Sequence, residues 1–306
     1  MARALVSISP AAGRGGNIAR RDRLAVAISA ALNERGLTAD FAQAASADEA
    51  AGLLRTAQAD GYDLAVVAGG DGTVRLGVNA IAGTDMPLGI VPLGTGNLLA
   101  ATLGIPRDPM VAAKRLAMAQ PVTIDSGLLN IDGVAERFAV AAGLGFDARL
   151  MAATSPAAKA RFGVLAYFAT MAKLLAALPV AQAEIVVDER TYELPTVAVL
   201  VANCGQVLPG LLGPRVTLDP TDGVLDLIAI RGGPWLTKLP IAARSALHSL
   251  LRDDTQPGGH SLRLRGERIS VRTDPPEPIE IDGDLVSYTG GAFKAAIAPQ
   301  SLTVLV

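Results

Sequence analysis

The feature that most constrains the fold is an apolar run that ends in a glycine-rich loop, and it occurs twice in the first hundred residues. Residues 63–68 (Asp-Leu-Ala-Val-Val-Ala) show no polar alternation, which indicates a strand buried on both faces. Gly69-Gly70-Asp71-Gly72-Thr73 and a helical pattern follow, and residues 88–91 lead in the same way into Pro92-Leu93-Gly94-Thr95-Gly96-Asn97. Strand, loop and helix in this order predict a parallel sheet whose loops gather at one edge.

The chain divides into two halves with different patterns of predicted strands and helices. In the first half the pattern predicts strands at 4–8, 38–41, 63–68 and 88–91 and helices at 17–35, 46–59, 73–81, 97–103 and 109–119. The second half predicts strands at 122–130, 137–141, 184–188, 197–201, 224–230, 261–272 and 279–281, with helical intervals at 157–178 and 236–251. We therefore predict a doubly wound parallel-sheet α/β domain at 1–121. An antiparallel β-sandwich domain at 122–306 follows, its extreme C-terminus free to pack back on the first domain.

Composition excludes some classes of function. The chain has 27 Lys and Arg against 29 Asp and Glu, so it has no global basic field with which to hold nucleic acid by its phosphates. Half of the residues are hydrophobic but only 4% are aromatic, which predicts a core of Ala, Val, Leu and Ile. The single cysteine, Cys204, cannot form an internal disulfide and is expected to be a small buried thiol in a reducing cytoplasm.

Two uncharged stretches raise the question of a membrane span. Residues 86–106 and 194–214 are long enough to cross a bilayer, but Gly and Pro interrupt both, so we interpret them as buried strands and loops. Residues 148–183 carry four basic and no acidic side chains among large apolar ones. This segment fits either an anionic lipid surface or a partly buried helix. The expectation is a cytoplasmic protein, soluble or peripheral on the inner face of the membrane; a homodimer is compatible with the sequence.

The glycine loops have the chemistry of a phosphate site. Glycines let the backbone approach a ligand closely, and a helix N-terminus presents unpaired N–H groups to an anion. Asp71 would repel phosphates unless a cation bridges them, which predicts Mg²⁺. The alternative is a tight turn in which Asp71 caps the helix. Thr95 and Asn97 would either bond the nucleotide or serve as ordinary helix caps.

The order of the loops resembles the diacylglycerol-kinase catalytic-domain family, which includes bacterial lipid kinases and sphingosine-kinase-like enzymes. The resemblance rests on Ser9-Pro10-Ala11-Ala12-Gly13, residues 69–73, residues 92–97, Gly143-Leu144-Gly145-Phe146-Asp147-Ala148, Val201-Ala202-Asn203, Asp222-Gly223-Val224-Leu225-Asp226 and Asp282-Gly283-Asp284. It extends nearly end to end and implies that 1–121 is the nucleotide-binding (ATP-binding) domain and 122–306 the lipid or acceptor domain. It implies a transferase of phospholipid biosynthesis that uses ATP and Mg²⁺ to phosphorylate a hydroxyl of diacylglycerol or a related lipid.

The resemblance also implies roles for single residues. Asp71 would lie at the nucleotide phosphates and their Mg²⁺, and Asp282 would accept the proton of the acceptor hydroxyl with an ordinary carboxylate pKa of about 4. The implied nucleotide-binding residues are Pro10, Gly13, Gly69, Gly70, Asp71, Gly72, Thr73, Gly94, Thr95, Gly96, Asn97 and Asp284. A structural Mg²⁺ site is implied at Asp219, Asp222 and the Val224 carbonyl, reached through water by Asp125.

A purely structural interpretation remains open for the Asp282 segment and for the implied metal site. Asp282-Gly283 between apolar strands is a strong hairpin-turn signal, on which an Asn would be tolerated. Residues 219–224 could form a solvated turn that binds no metal.

Departures from the family pattern leave two other functions open. Arg75-Leu76 stands where the family usually has Asn-Glu, and Leu98-Leu99 where it usually has Asp-Phe. An NAD kinase shares the Gly-Gly-Asp-Gly-Thr loop and the two-domain plan, although Leu76 and the second glycine loop favour the lipid kinases. A nucleotide-binding regulatory protein without catalysis is the other alternative.

Overall fold

The first half of the chain is an α/β layer built on a parallel sheet. The computed structural model describes residues 2–9, 18–44, 46–145, 179–206, 217–232, 261–286 and 290–306. Its first four strands are β1 (Ala2–Ile8), β2 (Leu37–Phe41), β3 (Leu64–Gly69) and β4 (Leu88–Pro92). They pair in parallel in the order β2-β1-β3-β4. Every residue of β3 and β4 is buried, as the unbroken apolar runs predict.

Five helices connect and follow these strands. They are α1 (Ile18–Glu34), α2 (Ala47–Thr56), α3 (Asp71–Ile81), α4 (Leu98–Thr102) and α5 (Pro109–Arg115). The predicted capping box is confirmed, because the Ser46 hydroxyl accepts a hydrogen bond from the Glu49 N–H at 3.1 Å. The prediction that α5 continues to residue 119 is wrong. The helix ends at Arg115. Beyond it, the Arg35 guanidinium donates hydrogen bonds to the carbonyls of Leu116 and Ala119 at 3.1 and 2.7 Å.

The second half is rich in antiparallel strands. They are β5 (Pro121–Ile131), β6 (Val134–Phe138), β7 (Ala141–Gly145), β8 (Ala181–Val187), β9 (Arg190–Ala202), β10 (Gly205–Gln206), β11 (Thr217–Leu218), β12 (Leu225–Arg231), β13 (Ser261–Gly266), β14 (Arg268–Asp274), β15 (Ile279–Ile281), β16 (Asp284–Leu285) and β17 (Ala292–Leu305). The main path runs β16-β15-β7-β9-β8-β14-β17, with β12 paired to β9 and β13 paired to β12. The predicted fold class, a parallel α/β layer followed by a β-sandwich, is confirmed.

Strand β17 joins the two halves into one sheet. It pairs antiparallel with β14 and β5 and then, at Val304 and Leu305, parallel with β4. Leu302, Val304 and Leu305 belong to the hydrophobic cluster of the first half, whereas Phe293 and Ala295 belong to that of the second. The sequence pattern predicted no strand at 292–305 and allowed only that the extreme C-terminus packs back on the first domain.

Two predicted strands are each divided in the structure. The expected strand at 137–141 breaks at Ala139 and Val140, whose N–H groups turn onto the carboxylate of Asp282. The expected strand at 261–272 is two strands, because the Asp188 carboxylate binds the N–H groups of Glu267 and Arg268 between them. Both breaks depend on side chains far away in sequence.

Some predictions lie outside the described residues. These are the helical intervals 157–178 and 236–251, the first glycine loop with Pro10 and Gly13, most of the basic segment 148–183, and Phe146 to Ala148. Within the described part of the chain, no helix has both the length and the apolar character needed to span a bilayer.

Candidate active site at the junction of the two halves

The two described glycine loops lie against each other at the carboxyl edge of the parallel sheet. A Cβ on Gly94 would come within 2.7 Å of the Cα of Gly70, and one on Gly96 would come within 2.6 Å of a carboxylate oxygen of Asp71. Contacts this close exclude any side chain at these two positions. Gly69 has a similar constraint, since the Thr73 side chain packs at 2.3 Å from where its Cβ would be. The second loop exposes Gly94, Thr95 and Gly96 beside the partly exposed first loop, an arrangement in which backbone N–H groups can bind phosphates.

Asp71 connects the two loops. It is the first residue of α3, and its carboxylate accepts hydrogen bonds from the N–H groups of Asn97 and Leu98, at 2.8 and 2.6 Å. Asp71 thus caps the short helix α4 from 26 residues away in sequence. Burial raises the pKa of Asp71, the two backbone donors oppose the shift, and the negative charge of Asp284 adds to it.

Asn97 shapes its own loop. Its backbone is left-handed, with φ of 50°, and its side chain makes no capping bond to α4. Instead its amide oxygen accepts from the Gly94 N–H at 2.9 Å and its amide nitrogen donates to the Gly94 carbonyl at 2.8 Å. The interpretation of Asn97 as an ordinary helix cap is therefore wrong. The carboxylate of Asp71, and not the side chain of Asn97, caps α4. Thr95 is exposed at the tip of the loop.

Asp282 lies in a tight turn and is buried. Asp282 and Gly283 have φ of 48° and 84°, the positive values that a type I′ turn requires, and the turn joins β15 to β16. The Asp282 carboxylate accepts three backbone hydrogen bonds, from the N–H groups of Ala139 at 2.9 Å, Val140 at 2.8 Å and Ala141 at 3.0 Å. The hairpin-turn reading is correct, and the same residue anchors the break between β6 and β7.

The electrostatic environment of Asp282 differs from the expectation. Burial raises its pKa to about 6, although the three N–H donors and the charge of Arg75 act in the opposite direction. The expected pKa of about 4 is therefore wrong. The sequence could not reveal the shift, because it arises from packing against residues more than a hundred positions away.

Asp284 and Arg75 complete the junction. A Cβ on Gly72 would lie 2.6 Å from a carboxylate oxygen of Asp284, so this carboxylate covers the first turn of α3. The Arg75 Nε lies 3.7 Å from the same oxygen, and the Arg75 Nη1 donates to Glu136 of β6 at 3.0 Å. Asp71, Asp284, Arg75 and the buried Asp282 thus meet where α3 faces the second half.

Asn79 holds α3 against β6. Its amide oxygen accepts from the Arg137 N–H at 2.8 Å, and its amide nitrogen donates to the Arg137 carbonyl at 3.1 Å. Sequence reasoning gave no role to Asn79 and treated Arg75 only as a departure from the family pattern. The signal was their spacing: Asp71, Arg75 and Asn79 recur every four residues and share one face of the helix.

The residues expected at a structural metal site are engaged within the protein. Asp125 is buried and accepts from the N–H groups of Gly223 at 2.8 Å and Gln300 at 2.7 Å. Asp219 accepts from the N–H and hydroxyl of Thr221, and Asp222 forms an ion pair with Arg265 and accepts from the Val224 N–H at 3.2 Å.

In the described part of the chain, no group of three or more Asp, Glu, His or Cys side chains is arranged to hold a metal ion. A cation at residues 219–224 would have to compete with the Arg265 guanidinium, and this site stays a prediction. The carboxylates at the glycine loops suit Mg²⁺ better, because Asp71 and Asp284 are like charges close to each other and a bridging cation would relieve their repulsion.

Comparison with known protein families identifies both halves. The family model of the diacylglycerol kinase catalytic domain matches residues 3–129, and that of the YegS C-terminal NAD kinase β-sandwich-like domain matches residues 139–306. The second model covers more than half of the chain, so the chain belongs to the family with the YegS C-terminal NAD kinase β-sandwich-like domain, and its residues 3–129 match the diacylglycerol kinase catalytic domain. The resemblance deduced from the sequence motifs is thereby confirmed.

Individual relatives agree with this assignment. An uncharacterized protein of Synechocystis is 28% identical over 80% of this chain and 55% of its own length. A diacylglycerol kinase of Mycobacterium tuberculosis is 40% identical over 39% of each chain. A putative lipid kinase of Staphylococcus aureus is 27% identical over 79% of this chain and 77% of its own. The chain thus matches about half or less of the length of the first two relatives.

Solved structures share the fold across the whole chain. A putative diacylglycerol kinase of Bacillus anthracis superposes with a TM-score of 0.75 at 21% identity, and a diacylglycerol kinase of the same organism with 0.68 at 19%. Each alignment covers 99% of this chain and 96% of the other.

Proposed function

We propose that the chain is an ATP-dependent lipid kinase that transfers the γ-phosphate of ATP to a hydroxyl of diacylglycerol or a related lipid. The observation that carries the proposal is the meeting of two kinds of group at one junction. Glycine loops suited to phosphates lie on one side, and a buried carboxylate of raised pKa, Asp282, lies on the other. Phosphoryl transfer needs this combination of positioning, charge neutralisation and a proton acceptor.

The reaction would proceed as follows at the named groups. The acceptor hydroxyl oxygen forms a bond to the γ-phosphorus, and the bond from that phosphorus to the β,γ-bridging oxygen breaks, which releases ADP. The hydroxyl proton moves to the carboxylate of Asp282. Mg²⁺, when bound, neutralises charge on the phosphates, and Asp71 with Asp284 are the carboxylates that would hold it.

A lipid acceptor is supported by the relatives. The protein of Staphylococcus aureus bears the name of a putative lipid kinase and that of Mycobacterium tuberculosis the name of a diacylglycerol kinase. Contact of the protein with a membrane stays a prediction, because most of the basic segment 148–183 lies outside the described residues.

A panel of acceptors tests the function. The full chain is incubated with ATP, Mg²⁺ and either diacylglycerol, a sphingoid base, ceramide or NAD, and phosphorylated product is detected by intact mass. We expect product with a lipid, and none in excess chelator because Asp71 needs a bridging cation. NAD phosphorylation above that of every lipid would favour the second candidate, an NAD kinase, which the description of the C-terminal family model supports. Nucleotide binding without any product would favour a regulatory role.

We also propose a division into an ATP-binding part at 1–121 and an acceptor part at 122–306. Two hydrophobic clusters support it, one around β1, β3 and β4 and the other around β7, β9 and β12. The boundary is crossed by β5 and β17, since Ile124 and Leu302 pack into the first cluster.

A further inference from the structure

Arg75 occupies an unusual position for an arginine. It lies one helical turn after Asp71 on α3, and its side chain is 18% exposed. It therefore sits inside the junction, next to the carboxylate that covers the first turn of the helix and within electrostatic range of Asp282.

The hydrogen-bonding capacity of Arg75 is incompletely used. Its Nη1 donates to Glu136, but its Nε is buried and has no hydrogen-bond partner within the described part of the chain. The carboxylate oxygen of Asp284 is 3.7 Å from this nitrogen, which is an ion-pair distance but too long for a hydrogen bond. An unsatisfied buried donor is unfavourable, and the half-exposed Asp284 side chain beside it is the group that a bound phosphate oxygen would displace to reach this N–H.

The charges around Arg75 suggest the chemistry of that acceptor. Asp71, Asp282, Asp284 and Glu136 give four carboxylates around the junction, and a nucleoside triphosphate would add further negative charge. A fixed guanidinium offsets this repulsion without reorganisation, and its fork of N–H groups matches the oxygens of a phosphate. Glu136 holds the Nη1 of the guanidinium, and the Nε lies towards Asp284.

We propose that Arg75 is a catalytic residue that binds the γ-phosphoryl group of the nucleotide and stabilises it during transfer to the acceptor. The inference rests on the proposed kinase function and adds to it a residue outside the glycine loops and the aspartates. It also predicts a distinct binding property: the protein distinguishes nucleoside triphosphate from diphosphate through this side chain, because only the triphosphate presents a γ-phosphoryl oxygen to the Arg75 Nε–H.

Calorimetric titration of the full chain tests this directly. ADP and the non-hydrolysable analogue AMP-PNP are titrated, each with Mg²⁺, into the wild type, Arg75→Met, Arg75→Lys and Glu136→Gln. For Arg75→Met we expect unchanged ADP affinity, AMP-PNP affinity reduced by about 10- to 100-fold, and kcat reduced by about 10²- to 10³-fold. Arg75→Lys keeps the charge but loses the fork of N–H groups, so its AMP-PNP affinity and its kcat should lie between those of the wild type and Arg75→Met. Thermal unfolding checks that each variant is folded.

Glu136→Gln separates phosphate binding from a merely structural ion pair. It removes the charged partner of Arg75 but leaves the guanidinium, so the preference for AMP-PNP over ADP should stay within about threefold of wild type. If Arg75 only ties α3 to β6, both substitutions will lower the melting temperature and neither will change the nucleotide preference, which overturns the inference. A wild type that binds ADP and AMP-PNP equally also overturns it while leaving the kinase function standing. A wild type that binds neither nucleotide overturns both.

Discussion

Asp282 shows how one side chain can be both an anchor and a candidate base. Its carboxylate holds three N–H groups of residues 139–141, and the same burial raises its pKa to about 6. A base whose pKa lies near the working pH accepts a proton more readily than an ordinary carboxylate does. The anchor role and the base role therefore have to be separated by kinetics and stability together.

We expect Asp282→Asn to lower kcat by about 10²- to 10⁴-fold, because it removes the proton acceptor. The melting temperature should change little. The loss of one N–H partner, worth about 1–3 kcal/mol, is opposed by removal of a buried charge. Asp188→Asn is a matched control, since Asp188 also has positive φ and binds two backbone N–H groups, but it lies away from the junction. Turnover of Asp282→Asn as high as that of the control would exclude Asp282 from the mechanism.

The raised pKa of Asp282 also predicts a pH dependence. Since the base must be ionised, kcat should fall as pH drops through about 6, and this limb should be absent from the residual activity of Asp282→Asn. The free energy of unfolding depends on pH in the opposite direction. The native carboxyl binds its proton more tightly than the unfolded one, so this group's contribution to the free energy of unfolding decreases as pH rises from about 4 to about 6. Steady-state rates and denaturant titrations across this range, compared with Asp282→Asn, measure both effects.

At the scale of elements, α3 organises the site. Its first residue caps α4, its second turn carries Arg75, and Asn79 fixes its far end to β6. Replacing Asp71 therefore affects two elements, α3 and α4.

We expect Asp71→Ala to lower kcat by at least about 10²- to 10³-fold and also to destabilise the protein by about 1–2 kcal/mol, because α4 loses its cap. Asp108→Ala provides the control. Asp108 caps α5 through the N–H groups of Met110 and Val111, at 2.9 and 3.0 Å, on the exposed surface. Its loss should cost a similar free energy with turnover unchanged. Equal turnover in the two variants would assign Asp71 to capping alone.

At the scale of the whole molecule, β17 makes the two halves depend on each other. One strand contributes Phe293 to the second cluster and Leu302 to the first, and it pairs with strands of both halves. Cooperative unfolding of the described elements as one unit is the physical consequence.

Leu302→Ala should lower the free energy of unfolding by about 2–5 kcal/mol, because Leu302 is fully packed. Hydrogen-exchange mass spectrometry should show faster exchange in peptides from both β3 and β12. Leu128→Ala, at a position of β5 that is 39% exposed, should change stability by less than about 1 kcal/mol. Faster exchange confined to the first half would show that the halves unfold separately.

Local signals in the sequence were enough to determine the fold class and the glycine loops. Unbroken apolar runs such as residues 64–69 identify strands buried on both faces, and the loops after them follow from strand direction. The Ser46 cap and the Asp282-Gly283 turn were equally local. The burial of Cys204 was expected from its chemistry.

Only the tertiary structure decided what the site residues do. Asp71 meets the N–H groups of residues 97 and 98, Asp282 meets those of 139–141, and Arg75 faces Asp284 across the two halves. The divided strands at 139–140 and 266–267, and the role of β17, depend on the same long-range contacts. The physical reason is that burial belongs to the packed assembly of elements and not to any stretch of sequence. Burial raises the pKa of Asp282 and encloses the Arg75 Nε, which has no hydrogen-bond partner among the residues that the structure describes.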